Sequence, residues 1–255
     1  MCLVLFAWKA HPEYELVLVA NRDEFHQRPT APAAFWPENE NLLAGRDLQA
    51  GGTWMGATRG GRFAAVTNYR EPGQPGPPEE RSRGELVRRF LEGRDAPLGA
   101  ARALHVKSDR YRGFNLLLGC RGELAYLSNR DGEPALVEAG VHGLSNHLLD
   151  TDWPKVRAGR ESLASCLRGK AIDTERLFSL MADDSPIAGS GPAGVDETLS
   201  PEGLARRCFI RSPVYGTRST TVLLIGRSGK VAFEERCFEA DGRPSGTSKF
   251  AFEVS

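Results

Sequence analysis

The sequence lacks both an excess of charge of one sign and a long run of apolar residues. Its 33 Lys and Arg residues balance its 33 Asp and Glu residues, which leaves no basic character of the kind that binds nucleic acid or anionic membranes. No apolar stretch approaches the roughly 18 residues of a membrane span. The opening run CLVLFAW is too short for the core of a signal peptide and follows no basic segment. We therefore expect no nucleic-acid partner and no membrane span.

Paired cysteines are also absent. The five cysteines are Cys2, Cys120, Cys166, Cys208 and Cys237. They form no CxxC motif and have no metal-ligand spacing, so we expect no metal site. An odd, dispersed set is typical of reduced thiols, which predicts a cytoplasmic protein.

The length and pattern of the chain predict a single domain over residues 1–255. The 255 residues are 40% hydrophobic and 26% charged, which is enough to bury a sizeable core. Apolar, β-rich runs open and close the sequence, and helical patterns lie between them. This order predicts an α+β fold with sheet layers covered by helices. The closing strands are expected to include RCFIR at 207–211, and residues 185–203 are predicted to form a long loop.

The helical patterns have recognisable ends. Ser82 is expected to cap the first helix, with Glu85 completing a capping box and Gly93 ending the helix. Further helices are predicted from Pro97 to about Val106, over 153–169 and over 174–182. The glycines of the run AGGTWMG are expected to allow a tight turn or a close backbone approach.

Cys2 is the first candidate functional residue. Removal of Met1 would leave a thiol and a free α-amine on the same residue. Such a cysteine is a nucleophile that carries its own base. The alternative is structural, because Cys2 opens an apolar strand and free cysteine is among the most buried residue types.

Polar clusters accompany the ends of several predicted core strands. They are Asn21 to Glu24 after VLVA, Asn68 after AAVT, Ser145 to His147 after GL, and Thr217 to Ser219 before TTVLLIG. Functional residues are commonly held at the ends of rigid strands, although each cluster alone is equally explained as a solvated loop. The repetition of this arrangement predicts that the clusters converge on one site with Cys2.

Five ordered blocks resemble the NRDE family. They are ANRDEF, LLAGRDLQAGGTWMG, GRFAAVTNYR, GLSNHLLDTDWPK and YGTRSTTVLLI, and together they extend over nearly the whole chain. The resemblance implies a four-layer αββα sandwich of mainly antiparallel sheets, similar to the N-terminal-nucleophile hydrolases. Eukaryotic members have been linked to haem trafficking, acyl-coenzyme A handling and secretory-pathway organisation. No settled reaction follows from the family.

A more distant resemblance concerns the site itself. Choloylglycine hydrolases and penicillin V acylases begin with Met-Cys and carry an R-N-x-D segment, which ANRD at 20–23 resembles. The resemblance implies that Asp23 contacts the amine of the Cys2 nucleophile. Ala20 stands where those enzymes have an arginine.

The same resemblance extends the set of candidate residues. It implies that Asn68 and Asn146 lie near the oxyanion and that Arg218 matches a late arginine of those enzymes. The candidate catalytic residues are Cys2, Asp23, Asn68, Asn146 and Arg218, and the candidate substrate-binding residues are Asn21, Arg22 and His147.

Functions from different classes remain open. The first is a cysteine amidohydrolase that cleaves a small amide or acyl bond and requires no cofactor. The second is a carrier that binds haem or an acyl-coenzyme A in the same pocket, and the third is a scaffold without activity. Candidate axial ligands for haem are Cys2, His11, His26, His105, His142 and His147. Because no CxxCH motif is present, any haem would be exchangeable.

Overall fold

Two antiparallel β-sheets form the centre of the structure. The computed structural model describes residues 2–71, 73, 76–77, 80–185 and 207–254. The predicted loop at 185–203 therefore lies, apart from its first residue, outside the described residues. Within these ranges no helix is long and apolar enough to cross a membrane.

The described elements are thirteen strands, four α-helices and a 3-10 turn at Ser108–Arg110. The strands are β1 (Cys2–Trp8), β2 (Tyr14–Phe25), β3 (Thr30–Trp36), β4 (Asn39–Asp47), β5 (Met55–Thr58), β6 (Phe63–Asn68), β7 (Phe114–Cys120), β8 (Glu123–Ser128), β9 (Ala135–Leu136), β10 (Gly140–Leu144), β11 (Tyr215–Gly226), β12 (Lys230–Phe238) and β13 (Pro244–Glu253). The helices are α1 (Gly84–Glu92), α2 (Pro97–His105), α3 (Pro154–Cys166) and α4 (Thr174–Met181).

The strands form one sheet of six and one of seven. The six-stranded sheet has the order β10-β1-β2-β11-β12-β13, and the seven-stranded sheet has the order β3-β4-β5-β6-β7-β8-β9. Consecutive strands pair in hairpins over most of the chain, as their apolar runs and short connections predict. The central strands β1, β2 and β11 are buried almost throughout.

Strand β1 shows how the layers arise. Its side chains alternate between two apolar cores, because successive residues of a strand point to opposite faces. Val4 and Phe6 pack between the two sheets, whereas Leu3 and Leu5 pack under α3 and α4. A strand covered on both faces is a continuous apolar run, as CLVLFAW is.

The seven-stranded sheet is covered in the same way. Helix α1 contributes Leu86 and Phe90 to a third core against this sheet, and α2 contributes Ala101. The layer order is therefore helix, sheet, sheet, helix. This confirms the predicted α+β class and the αββα sandwich of mainly antiparallel sheets, the layer order of the N-terminal-nucleophile hydrolases.

The predicted capping box of the first helix is wrong. Helix α1 begins at Gly84, and its capping position is occupied by Arg83, which makes no side-chain cap hydrogen bond. The carboxylate of Glu85 instead accepts a hydrogen bond from Tyr111 and pairs with Arg81. The predicted end at Gly93 is confirmed.

The predicted strand at 207–211 is also wrong. Its backbone groups bond to other segments, since the Phe209 amide donates to the Asp183 carbonyl at 3.1 Å and the Ile210 amide donates to the Thr217 hydroxyl at 3.0 Å. Residues 207–211, which precede β11, are therefore not a strand of either sheet.

The glycines before β5 make the predicted turn and close approach. Gly51 has a positive φ of 71°. A Cβ on Gly52 would lie 2.7 Å from the carbonyl carbon of Gly84, and the neighbouring Thr53 amide donates to the Gly84 carbonyl at 3.3 Å. This contact seats the start of α1, and with it Arg83, against the sheet.

We expect Gly52→Ala to destabilise the protein by about 1–3 kcal/mol, because the added methyl group collides with backbone that cannot rotate away. Gly246→Ala is the matched control, since no atom lies within 4 Å of its added Cβ, and it should change stability by less than about 0.5 kcal/mol. Urea unfolding measures both variants. Equal stability of the two would show that the contact with Gly84 is not tight.

Candidate functional site

A polar cavity of about 630 Å³ opens at one edge of the sandwich, between the two sheets. Its lining residues come from β1, β2, β11 and β12 of one sheet, from β3, β4 and β6 of the other, and from the start of α1. Those that the sequence singled out are Cys2, Arg22, Asp23, Asn68 and Arg218. The structure therefore brings five of the eight candidates to one cavity.

Cys2 is held at the head of β1 by both of its neighbouring strands. It faces Arg22 across the β1–β2 pair, and its carbonyl accepts a hydrogen bond of 2.9 Å from the Ser145 hydroxyl. The residue is 8% exposed. Burial raises the pKa of the Cys2 thiol, and a hydrogen bond from the Asp23 backbone amide acts in the opposite direction.

Asp23 is a buried carboxylate and not part of a solvated turn. The residue is 4% exposed, and the Thr217 hydroxyl donates to its Oδ1 at 2.7 Å. The Tyr215 hydroxyl donates to its backbone carbonyl at 3.1 Å. Burial raises the pKa of Asp23, while the Lys155 ammonium and the Thr217 hydroxyl act against that rise.

Lys155 is a member of this cluster that the sequence analysis missed. It is fully buried in the first turn of α3, with its Nζ 6.0 Å from the centre of the Trp153 ring. Burial lowers the pKa of Lys155, and the negative charge of Asp23 opposes that change. The sequence contained an indication that Lys155 is buried. Lys155 has the helical spacing of Gly159 and Leu163, and all three are buried on one face of α3.

Asn68 and Asn146 have different positions. Asn68 ends β6, is exposed and lines the cavity. The side-chain amide of Asn146 donates to the Asn68 backbone carbonyl at 2.9 Å, and its oxygen accepts from the Ser145 hydroxyl at 3.2 Å. Asn146 is therefore not among the described lining residues of the cavity, and its amide holds the end of β6.

Asn21 is not at the cavity, which corrects its expected substrate-binding position. Its amide donates to the carbonyls of Met181 at 2.9 Å and Cys208 at 2.7 Å, and its oxygen accepts from Thr220 at 2.6 Å. The cause is strand alternation, which directs Ala20 and Arg22 toward the other sheet and Asn21 toward the helices.

His147 is likewise placed away from the cavity lining. Its Nε2 contacts the Tyr69 hydroxyl at 3.0 Å and its Nδ1 contacts the Thr151 hydroxyl at 2.9 Å. The ring also lies against Tyr69 and Trp153. Its role in the structure is to tie the segment after β10 to the end of β6.

The other haem-ligand candidates are also placed elsewhere. None of the five histidines is among the described residues that line the cavity. His11, His142 and His147 have hydrogen-bond contacts at both ring nitrogens, whereas a haem ligand needs one nitrogen free. In the described part of the chain, no group of three or more His, Cys, Asp or Glu side chains is arranged to hold a metal ion.

Arg218 occupies a bulge in β11. The pairing of β11 with β2 shifts between Thr217 and Ser219, which leaves Arg218 as the extra residue, and such bulges re-aim a side chain. Its guanidinium donates to the carbonyls of Phe25, His26 and Arg28 at 3.1–3.2 Å. Arg218 therefore lines the cavity and also orders the segment after β2.

A cysteine at the head of an inner strand of an αββα sandwich, beside a buried carboxylate, is the arrangement that the sequence resemblance to the N-terminal-nucleophile hydrolases implied. The sequence profile of the family described as "Transport and Golgi organisation 2" matches residues 1–240. The chain belongs to this family, and this confirms the family resemblance that the five ordered sequence blocks indicated.

Individual relatives agree with this assignment. The mouse protein "Transport and Golgi organization 2 homolog" is 34% identical over 260 residues, which cover 92% of this chain and 92% of the mouse protein. The Drosophila melanogaster protein "Transport and Golgi organization protein 2" is 27% identical over 263 residues, covering 92% and 91% of the two chains.

A solved structure has a similar outline. It is the Caenorhabditis elegans N-acylethanolamine-hydrolyzing acid amidase ortholog, which is 9% identical and matches with a TM-score of 0.49 over 88% of this chain and 92% of that chain. The layer order described above rests on the strand pairing of this chain itself.

We expect Asn21→Ala to cost more than about 2 kcal/mol of stability, because it leaves buried carbonyls without donors. Asn68→Ala is the matched comparison at an exposed cavity position and should change stability by less than about 0.5 kcal/mol. Thermal and urea unfolding of both variants check this. A stable Asn21→Ala protein would mean that its three hydrogen bonds do not hold β2 to Met181, Cys208 and Thr220.

Proposed function

We propose that the protein is a cysteine N-terminal-nucleophile amidohydrolase that cleaves a small amide or acyl bond in the cavity around Cys2. The observation that carries this proposal is the position of Cys2 on the cavity wall beside Asp23, with Lys155 buried behind them. A cavity of about 630 Å³ is in the size range of small-molecule sites.

Activation of the nucleophile begins with the removal of Met1. The α-amine of Cys2 then takes the thiol proton, because an α-amine with a pKa of about 7.7–8.0 is well matched to a thiol with a pKa of about 8.5. Burial raises the pKa of the thiol in the resting protein, so a base on the same residue is needed to form the thiolate. The Asp23 carboxylate would hold the resulting ammonium.

The reaction divides into two acyl transfers. The Cys2 thiolate attacks the acyl carbon, a carbon–sulfur bond forms and the carbonyl electrons move to the oxygen. The Cys2 ammonium returns its proton to the leaving nitrogen as the carbon–nitrogen bond breaks. Water then attacks the thioester with the amine as base, which releases the acid and restores the thiol.

Asn68 is the candidate donor to the oxyanion. Its side chain is exposed at the cavity, and an amide donor directed at a developing oxyanion stabilises the transition state. Asn146 contributes indirectly, because it holds the Asn68 backbone carbonyl.

A carrier of haem or of an acyl-coenzyme A is the second candidate function. The observations that favour it are the size of the cavity and the names of the relatives, which denote transport. Of the candidate axial ligands for haem, Cys2 is the one that lines the cavity in the described part of the chain. A carrier would bind haem or an acyl-coenzyme A in the cavity without cleaving it.

We expect Cys2→Ala to abolish hydrolysis of acyl aminomethylcoumarin amides, tested from acetyl to lauroyl, by protein that lacks Met1. Cys237→Ala is the matched control, because Cys237 lines the same cavity but burial and the Glu235 carboxylate raise the pKa of its thiol to about 12. Its activity should stay within about twofold of wild type, since a thiol held neutral is a poor nucleophile.

Haem titrations on the same variants separate the two functions. Loss of turnover in Cys2→Ala with an unchanged Soret titration supports the hydrolase. Absence of turnover in wild-type protein, together with a haem spectrum that changes only in Cys2→Ala, would contradict the hydrolase and support the carrier.

A further inference from the structure

The cavity around Cys2 is rich in arginine, and half of its arginines are already neutralised. Within the described ranges, six arginines line it. Three of these hold a carboxylate at short distance: Arg28 with Asp47 at 2.7 Å, Arg46 with Glu38 at 2.7 Å and Arg81 with Glu85 at 2.9 Å. These three pairs have no net charge to offer a ligand.

The other three, Arg22, Arg83 and Arg218, form what we call the arginine triplet. Arg83 donates to the Gly113 carbonyl at 3.2 Å, and Arg218 donates to backbone carbonyls and, at 3.5 Å, to the Thr30 hydroxyl. The Arg22 guanidinium comes no closer than 3.9 Å to Glu24. Carbonyls and hydroxyls orient a guanidinium but do not neutralise its charge.

The carboxylates that share the cavity compensate this charge only in part. Asp47 is held by Arg28, and Glu80 is held by Arg112 at 2.9 Å. Burial raises the pKa of Glu235, which favours its neutral form. Glu24 accepts a hydrogen bond of 2.9 Å from the Phe25 backbone amide, and Glu239 is exposed.

The triplet is placed around the nucleophile. Arg22 faces Cys2 across β1 and β2, and Ser219, which follows Arg218, faces Arg22 across β11. Arg83 approaches from the start of α1 on the other sheet, where the electrostatic influence of Cys2 reaches it. Arginines from β2, from β11 and from the start of α1 therefore line the same cavity.

The triplet also accounts for Ala20. That residue is fully buried between the sheets and carries no charge. Arg22 follows two residues later on the same face of β2, at the point where the apolar core ends and the cavity begins.

We propose that the substrate carries an anionic group, a carboxylate or a phosphate, and that Arg22, Arg83 and Arg218 bind it while the acyl carbon faces Cys2. Guanidinium groups bind both anions through paired, charge-assisted hydrogen bonds. The catalytic part of this inference rests on the proposed hydrolase function, whereas the anion site itself does not. Arg83 and Arg22 are then specificity-determining residues.

The test measures binding to Cys2→Ala protein, so that it does not depend on turnover. The probes are N-octanoylglycine, its phosphate counterpart N-octanoyl-O-phosphoethanolamine, and the neutral N-octanoylglycinamide. Isothermal titration should show at least one anionic probe binding roughly tenfold or more tightly than the neutral probe, since charge-assisted hydrogen bonds are about twice as strong as neutral ones. The tighter of the two anionic probes identifies the group.

Arg83→Gln, made in the same background, should remove most of this preference, and Arg83→Lys should retain part of it because the charge remains. Arg83 is chosen because its one hydrogen bond within the described residues is to the Gly113 carbonyl, so little of the fold depends on it. Arg81→Gln is the matched control, since Arg81 lines the same cavity but is paired with Glu85, and it should keep the preference.

Several results would overturn the proposal. They are equal binding of anionic and neutral probes, failure of the folded protein to bind either anionic probe, and equal loss of preference in Arg81→Gln and Arg83→Gln. Failure of the hydrolase function is distinguishable, because wild-type protein would then bind an anionic amide with the expected preference and leave it uncleaved.

Discussion

The antiparallel register between β1 and β2 is the constraint on which the site depends. It places Cys2 opposite Arg22 and next to the Asp23 backbone. A slip of one residue would exchange the two faces of the strand. The thiol would then point toward the helices, and Leu3 would point into the cavity. Both faces of β1 are packed in apolar cores, so this register is strongly specified. The packing of the fold therefore fixes the positions of Cys2 and Arg22 in the site.

The burial of ionisable groups behind Cys2 is the second feature that the fold maintains. A carboxylate or an ammonium alone in such surroundings would be driven to its neutral form. Asp23 and Lys155 each act on the pKa of the other in the direction that restores the charge. Because Lys155 is carried by α3, the position of that helix against β1 affects the electrostatics of the cysteine. The arginine triplet acts from the opposite side, toward the open cavity.

Much of this arrangement could be predicted from the sequence. Alternating and continuous apolar runs predicted most of the strands. Polar residues at strand ends, together with Cys2, predicted a shared site, and Cys2, Asp23, Asn68 and Arg218 do line one cavity. Asn21, Asn146 and His147 were misplaced because proximity in sequence does not reveal which face of a strand a residue occupies or which backbone groups need a partner. Lys155 and Arg83 were missed for a related reason, since charged residues at helix starts usually face solvent.

The most direct test of the central claim, that Cys2 is the reacting group of this cavity, is mass spectrometry after acylation. Protein shown by intact mass to lack Met1 is incubated with a butyryl nitrophenyl ester and quenched in acid, and the modified residue is located by peptide mapping. The account predicts one butyryl group per chain, carried by Cys2. Unmodified Cys2, or butyryl groups spread over the more exposed cysteines at the same rate, would contradict it.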